Sequence, residues 1–157
     1  MMHLNDNLIS CIESAAASVW LCNTNEQLET DMVRVLGVQV DADRRHLTVY
    51  IPESYGADVI RNLSVTDKIT FLTAIIFTYE SYQVKGTYIS HRASTEEEIK
   101  YQKAYMDDFA KALQKQGLSR EKAYKAYFRQ PCIALRMVAE EVYEQTPRKG
   151  TGERLAV

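Results

Sequence analysis

The stretch Tyr82-Gln83-Val84-Lys85-Gly86-Thr87-Tyr88-Ile89 decides how this chain is read. Side chains alternate between two faces with a period of two, which is the period of a strand and not of a helix. Tyr82, Val84 and Tyr88 fall on one face, and Gln83 and Lys85 on the other. Gly86 interrupts the strand interior, marking a bulge or a point where another group approaches the backbone closely.

Outward from this strand the chain predicts a mainly β protein. On its N-terminal side, Ile69–Phe77 is a nine-residue run whose β-branched content favours a buried strand. Before it, Asp31–Val40 and Leu47–Ile51 predict a hairpin across the charged turn Asp41-Ala42-Asp43-Arg44-Arg45. Pro52 ends the second arm, and Glu53–Leu63 predicts a short helix with Tyr55, Val59, Ile60 and Leu63 on one face. Ser18-Val19-Trp20-Leu21-Cys22 predicts a strand buried on both faces, preceded by an amphipathic helix over Leu4–Ala16.

On the C-terminal side the period changes. Thr95-Glu96-Glu97-Glu98 is a capping box, and the stripe Ile99, Met106, Phe109 and Leu113 runs to Gly117, a residue suited to end a helix. A second helix from Ser119 ends before Pro131 and completes a helical hairpin. Cys132–Thr146 returns to strand composition, with a change of phase near Ala139-Glu140-Glu141 that predicts a bulge. The expectation is an α+β fold, mainly β, over residues 1–157 as one domain. It consists of a six-stranded antiparallel split β-barrel with an N-terminal helix, a short helix between strands 3 and 4, and a helical hairpin before the last strand. Closure into a barrel removes the two exposed sheet edges.

Composition narrows the function classes. The 157 residues are 46% hydrophobic and 25% charged, and the net charge is −2. Residues 1–90 carry 6 basic against 11 acidic groups, and 91–157 carry 13 against 10. This asymmetry is too mild for a polyanion partner, so no nucleic-acid partner is expected. No apolar run is long enough to span a bilayer, and no membrane partner is expected. Three cysteines without a CxxC pair, and a start without a basic segment followed by an apolar one, predict a reduced, cytoplasmic protein. His3, His46 and His91 have no ligand spacing to one another or to a cysteine, so no metal site is expected. The basic and aromatic residues of 119–130, among them Arg120, Lys122, Lys125 and Arg129, read as a solvated helix face.

The polar residues inside otherwise apolar strands remain as candidates. Arg34 shares a face with Met32, Leu36 and Val38, so it is either an ion-paired, edge-facing arginine or an anion ligand. Gln83 and Lys85 are either an ordinary solvent face or, beside Gly86, a ring-edge contact for a heteroaromatic ligand.

Tyr79-Glu80-Ser81-Tyr82-Gln83-Val84-Lys85-Gly86, followed by two helices and then by Glu141-Val142-Tyr143-Glu144-Gln145-Thr146-Pro147, resembles the pyridoxamine 5'-phosphate oxidase-like family of FMN-binding split barrels. The resemblance implies a homodimer with a flavin in each of two clefts between subunits. It places Arg34 at the cofactor phosphate, Tyr50 and Ile51 along the flavin, and Ser81, Gln83 and Lys85 on the cleft wall. The function it implies is an FMN-dependent oxidoreductase acting on a small-molecule substrate; the alternative is a split-barrel protein that holds flavin or haem without turnover. Two departures stand out. The oxidases' Ser-Arg-Lys clamp at the start of the middle helix is replaced by Ala57-Asp58-Val59, and Arg148-Lys149 stand where relatives often have Gly-Pro.

Overall fold

A computed structural model describes residues 2–157. The order of elements is α1 (Asp6–Glu13), β1 (Ala17–Thr24), β2 (Thr30–Arg34), β3 (Val38–Val40), β4 (His46–Pro52), α2 (Glu53–Asn62), β5 (Lys68–Ile75), β6 (Ser81–Ala93), α3 (Glu96–Lys115), α4 (Arg120–Tyr127) and β7 (Cys132–Glu144). Among the described residues no helix is long and apolar enough to cross a membrane.

All seven strands join one antiparallel sheet in the order β2-β1-β5-β6-β7-β4-β3. This corrects the expected six strands and the closed barrel. The segment read as a single strand, Asp31–Val40, divides at Val35-Leu36-Gly37, where Gly37 has a φ of +107°. Its first half pairs with β1 and its second half with β4, at opposite edges of the sheet. The two edge strands are thus three residues apart in the chain, and the sheet curls until its edges are neighbours. Val35 N–H donates to the Val19 carbonyl and Leu36 N–H to the Tyr50 carbonyl, so backbone hydrogen bonds lead into each half separately and no ladder closes the ring.

The concave side holds the main core. Val33, Leu21, Phe71, Val84 and Val142 form one inward cross-strand row, all buried. Leu4, Leu8, Cys11 and Ile12 of α1 and its lead-in pack into the same core. A second core lies on the convex side, where α3 and α4 cover Tyr50, Cys132 and Ala134 with Tyr105, Met106, Phe109 and Ala123. The capping box at Thr95 is present in full, and Gly117 follows α3 at φ +90°.

Gly86 answers to both of its sequence readings. The β6–β7 register shifts between Lys85 and Gly86, so that Lys85 faces Glu141, Gly86 faces Ala139 and Glu140 is extra. A Cβ at Gly86 would lie 2.1 Å from the Val138 carbonyl oxygen.

Two further expectations need correction. β1 is buried on one face only, because Ser18, Trp20 and Cys22 lie on the convex face, which the helical hairpin reaches only at its Arg34 edge. In α2 the buried positions are Gly56, Val59 and Asn62, and Tyr55 is turned outward. The cause is the approach of α2 to β4, which is so close that a Cβ at Gly56 would meet Ile51 Cγ2 at 2.4 Å. With Gly56 against the sheet, the helical phase carries Tyr55 to the rim.

Candidate functional site

The register places the sequence candidates. Arg34 pairs with Trp20, Trp20 with Leu72, Leu72 with Gln83, and Gln83 with Tyr143, so these five share one convex row across β2, β1, β5, β6 and β7. Ser81 and Lys85 lie on the same convex face, one pleat to either side of Gln83. At a strand spacing of about 4.8 Å, Arg34 and Gln83 stand roughly 14 Å apart.

Lys85 therefore does not converge with Arg34 on one small anion within a subunit. Its Nζ lies 4.7 Å above the Tyr143 ring, on the opposite side of the face. Ser81 donates its hydroxyl to the Tyr79 carbonyl at 2.7 Å. Tyr50 and Ile51 are fully buried. The Tyr50 hydroxyl is bonded to Gln39, its ring packs 5.4 Å from Tyr101, and Ile51 belongs to the concave core.

Arg34 has the most unusual surroundings. Its guanidinium sits in the corner between Phe109 of α3 and Tyr127 of α4, 4.3 and 4.4 Å from the ring centroids, with the rings 77° apart. Such contacts with a partly desolvated cation are worth about 0.5–2 kcal/mol each. Nη1 donates to Ser18 Oγ at 3.0 Å, and the same oxygen accepts from Trp20 Nε1 at 3.0 Å. Ser18 thereby fixes the arginine fork and the indole together. Burial lowers the Arg34 pKa, while the phenols of Tyr105 and Tyr127 oppose the shift; the group remains a cation at physiological pH.

Nη2 of Arg34 is buried and has no hydrogen-bond partner. An orphaned buried donor costs about 1–3 kcal/mol, and more on a charged group, so the guanidinium is left short of an acceptor. Arg34 lines a cavity of about 270 Å³ whose other walls are Trp20, Met32, Val33, Tyr55, Ala126 and Tyr127. The site is an apolar, aromatic-walled recess with a single cation at its wall. Trp20 and Met32 carry that wall onto the open convex face where Gln83 stands.

A larger hollow of about 520 Å³ lies between α2 and β6, lined by Glu53, Arg61, His91 and Arg92. Its arginines are already satisfied, Arg61 by Asp58 and Arg92 by both oxygens of Glu98. It offers an incoming anion little.

Sequence reasoning passed over Ser18, Trp20, Tyr55, Phe109 and Tyr127. The interleaved basic and aromatic residues of 119–130 were the available signal, but helical spacing alone does not say that Tyr127 faces an arginine of a distant strand.

No family model matches the sequence, and no curated protein sequence matches it. Solved structures do. An FMN-binding protein from Syntrophomonas wolfei superposes with a TM-score of 0.56 at 12% identity, over 95% of this chain and 84% of that one. The HupZ protein of Group A Streptococcus gives 0.56 at 9% identity, over 95% and 98%. A candidate pyridoxamine 5'-phosphate oxidase from Lactobacillus delbrueckii gives 0.54 at 15% identity, over 90% and 93%. At identities this low the likeness establishes the fold: the chain has the mainly β, antiparallel architecture of FMN-binding and pyridoxamine 5'-phosphate oxidase-type proteins.

Proposed function

We propose that this protein binds flavin mononucleotide across its convex face, with the phosphate at Arg34 and the ring system toward Gln83, and that it acts as a flavin-dependent oxidoreductase on a small molecule. The observation that carries this reading is Arg34, whose guanidinium keeps a buried, unpartnered Nη2 and which lines an aromatic-walled cavity at one end of a polar-ended row. An extended ligand with an anion at one end and a hydrogen-bonding heteroaromatic edge at the other matches that row in chemistry and in length. The fold shared with an FMN-binding protein supports the same assignment.

In this reading each residue has one task. Arg34 neutralises phosphate charge, and Ser18, Phe109 and Tyr127 hold its fork still. Trp20 and Met32 give an apolar floor to the ligand's middle. Gln83 can both donate to and accept from a ring edge, and Lys85 adds positive charge at that end. A bound flavin supplies the hydride or electron transfer, and the protein's part is to orient it and exclude water.

The ring end requires a second chain. The cavity lies just below the size of a typical small-ligand pocket, so it takes only part of a flavin mononucleotide. Meanwhile Trp20, Met32 and Ile89 are exposed on a face this chain leaves uncovered. A homodimer packed through the convex face completes the cleft.

No carboxylate, histidine or thiol lines the cavity, which also favours a second reading, a flavin holder without turnover. Visible absorption of the purified protein, with mass spectrometry of what denaturation releases, tests the binding. We expect FMN, lost on Arg34→Ala, and colourless protein that also fails to take up added FMN overturns the assignment. Reduction of the bound flavin by NADH or NADPH separates the oxidoreductase from the holder.

A further inference from the structure

We propose that Arg129 is the second cation of the site, so that a phosphate dianion in the cavity is held between Arg34 and Arg129. This rests on the reading of the cavity as a flavin-phosphate site. It goes beyond that reading by taking the second charge from the helical hairpin, where the start of α2 supplies none.

The first observation is an accounting of arginines. The chain has ten. Arg44, Arg61, Arg92, Arg120, Arg136, Arg148 and Arg154 each lie within 4.0 Å of a carboxylate oxygen. Among the described residues, Arg34, Arg45 and Arg129 do not. Arg45 belongs to the turn beside the β7 bulge, where its carbonyl accepts from Ala139 N–H. Of the other two, Arg34 lines the cavity and Arg129 lies against Tyr55, one of its walls.

The second observation is placement. Arg129 follows Tyr127 and Phe128 at the end of α4, and its Cζ lies 5.1 Å from the ring centroid of Tyr55, a cavity wall. Nη1 donates to the Phe128 carbonyl at 2.8 Å, which restrains the side chain and leaves Nε and Nη2 for another acceptor. Half-exposed Tyr55 serves as a shelf for this guanidinium just as Phe109 and Tyr127 do for Arg34. Among the described residues no carboxylate lines the wall, and neither guanidinium is paired with one.

The third is need. A phosphate close to a dianion wants two or more charge-assisted partners. The start of α2 offers Ser54, Ala57 and Asp58, and Asp58 is occupied with Arg61. Lys85 lies across the face, so the hairpin is the one neighbouring element with a cation to give.

Trp20, the chain's single tryptophan, lines the cavity and reports occupancy by its fluorescence. Wild type, Arg129→Ala, Arg129→Lys and Arg34→Ala are titrated with FMN, riboflavin and inorganic pyrophosphate. We expect Arg129→Ala to raise the FMN dissociation constant roughly tenfold to a hundredfold, the range for charged hydrogen bonds. Riboflavin affinity stays put, and lysine restores part of the loss. FMN binding unchanged in Arg129→Ala but lost in Arg34→Ala overturns the role of Arg129 and leaves the flavin site standing. Equal losses for FMN and riboflavin also overturn it, since the effect is then not on the phosphate. If wild type takes neither flavin, the flavin reading fails; the arginine pair survives only if pyrophosphate quenches Trp20 and Arg129→Ala weakens that response by the same factor, and it falls if pyrophosphate does nothing.

Discussion

Single residues account for much of what this chain does. Arg34 tolerates burial because two rings and a serine surround it, and they leave its Nη2 without an acceptor. Glu98 is a second such residue: Thr95 N–H and both arms of Arg92 donate to its carboxylate, at 2.7–2.8 Å. These hydrogen bonds, with Arg92 the largest contributor, hold its pKa down from 4.5 to about 2. The folded state therefore binds this proton more weakly than the unfolded chain does. The stabilisation is complete above about pH 4.5 and is lost as pH falls toward 2. Because Arg92 is more than half exposed, solvent screening holds the contribution near 1 kcal/mol. Urea melts of Glu98→Gln at pH 7 and pH 2.5 should show a gap of about that size narrowing at the lower pH. At Gly86 the constraint is steric, with the Val138 carbonyl occupying the space of a side chain. Gly86→Ala should cost about 2 kcal/mol or more, read as a lower urea midpoint with an unchanged slope.

At the scale of elements, the hairpin α3–α4 couples stability to the site. It covers the convex side of β4 and β7 with an aromatic core, and the same aromatic set reaches past the sheet to Arg34. Phe109 is buried between these tasks, stacked on Tyr105 and edge-on to Tyr127. Phe109→Ala should destabilise the fold by about 3–5 kcal/mol. Phe109→Leu refills most of the volume and removes the ring beneath the guanidinium. For that variant we expect about 1 kcal/mol of lost stability in thermal melts, and an FMN dissociation constant raised about threefold to tenfold, with riboflavin affinity held. A loss confined to stability would mean that Ser18 and Tyr127 alone position Arg34.

For the whole molecule, the question is what covers the convex face of β2, β1, β5 and β6. Met32 is 51% exposed and Trp20 36%, side by side at the cavity mouth. If the proposed homodimer forms there, a charge at Met32 disrupts it without touching either core. Met32→Glu should sediment as a monomer at micromolar concentration, where wild type sediments as a dimer, and its circular dichroism should match wild type. Wild type sedimenting as a monomer would remove the shared cleft, leaving any bound flavin open to solvent along its ring.

Much of this was legible in the sequence because it is local. Period-two alternation defines β6, the Thr95 capping box and Gly117 define α3, and a phase change in Cys132–Thr146 marks the bulge that the register shows at Glu140. Arg34 also stood out locally, as a cation on an apolar strand face. What the sequence could not decide was which partner each segment meets. Asp31–Val40 has continuous strand character, yet it serves both edges of the sheet, because hydrogen-bond partners for its two halves lie on β1 and β4. Tyr55 points to the cavity only because Gly56 takes the close approach to Ile51, and Arg129 acquires a role only when the hairpin folds back over the seam between the edges. Periodicity follows from covalent spacing along the chain and can be read there, whereas the pairing of a buried charge with distant rings arises only when the sheet curls and brings its edges together.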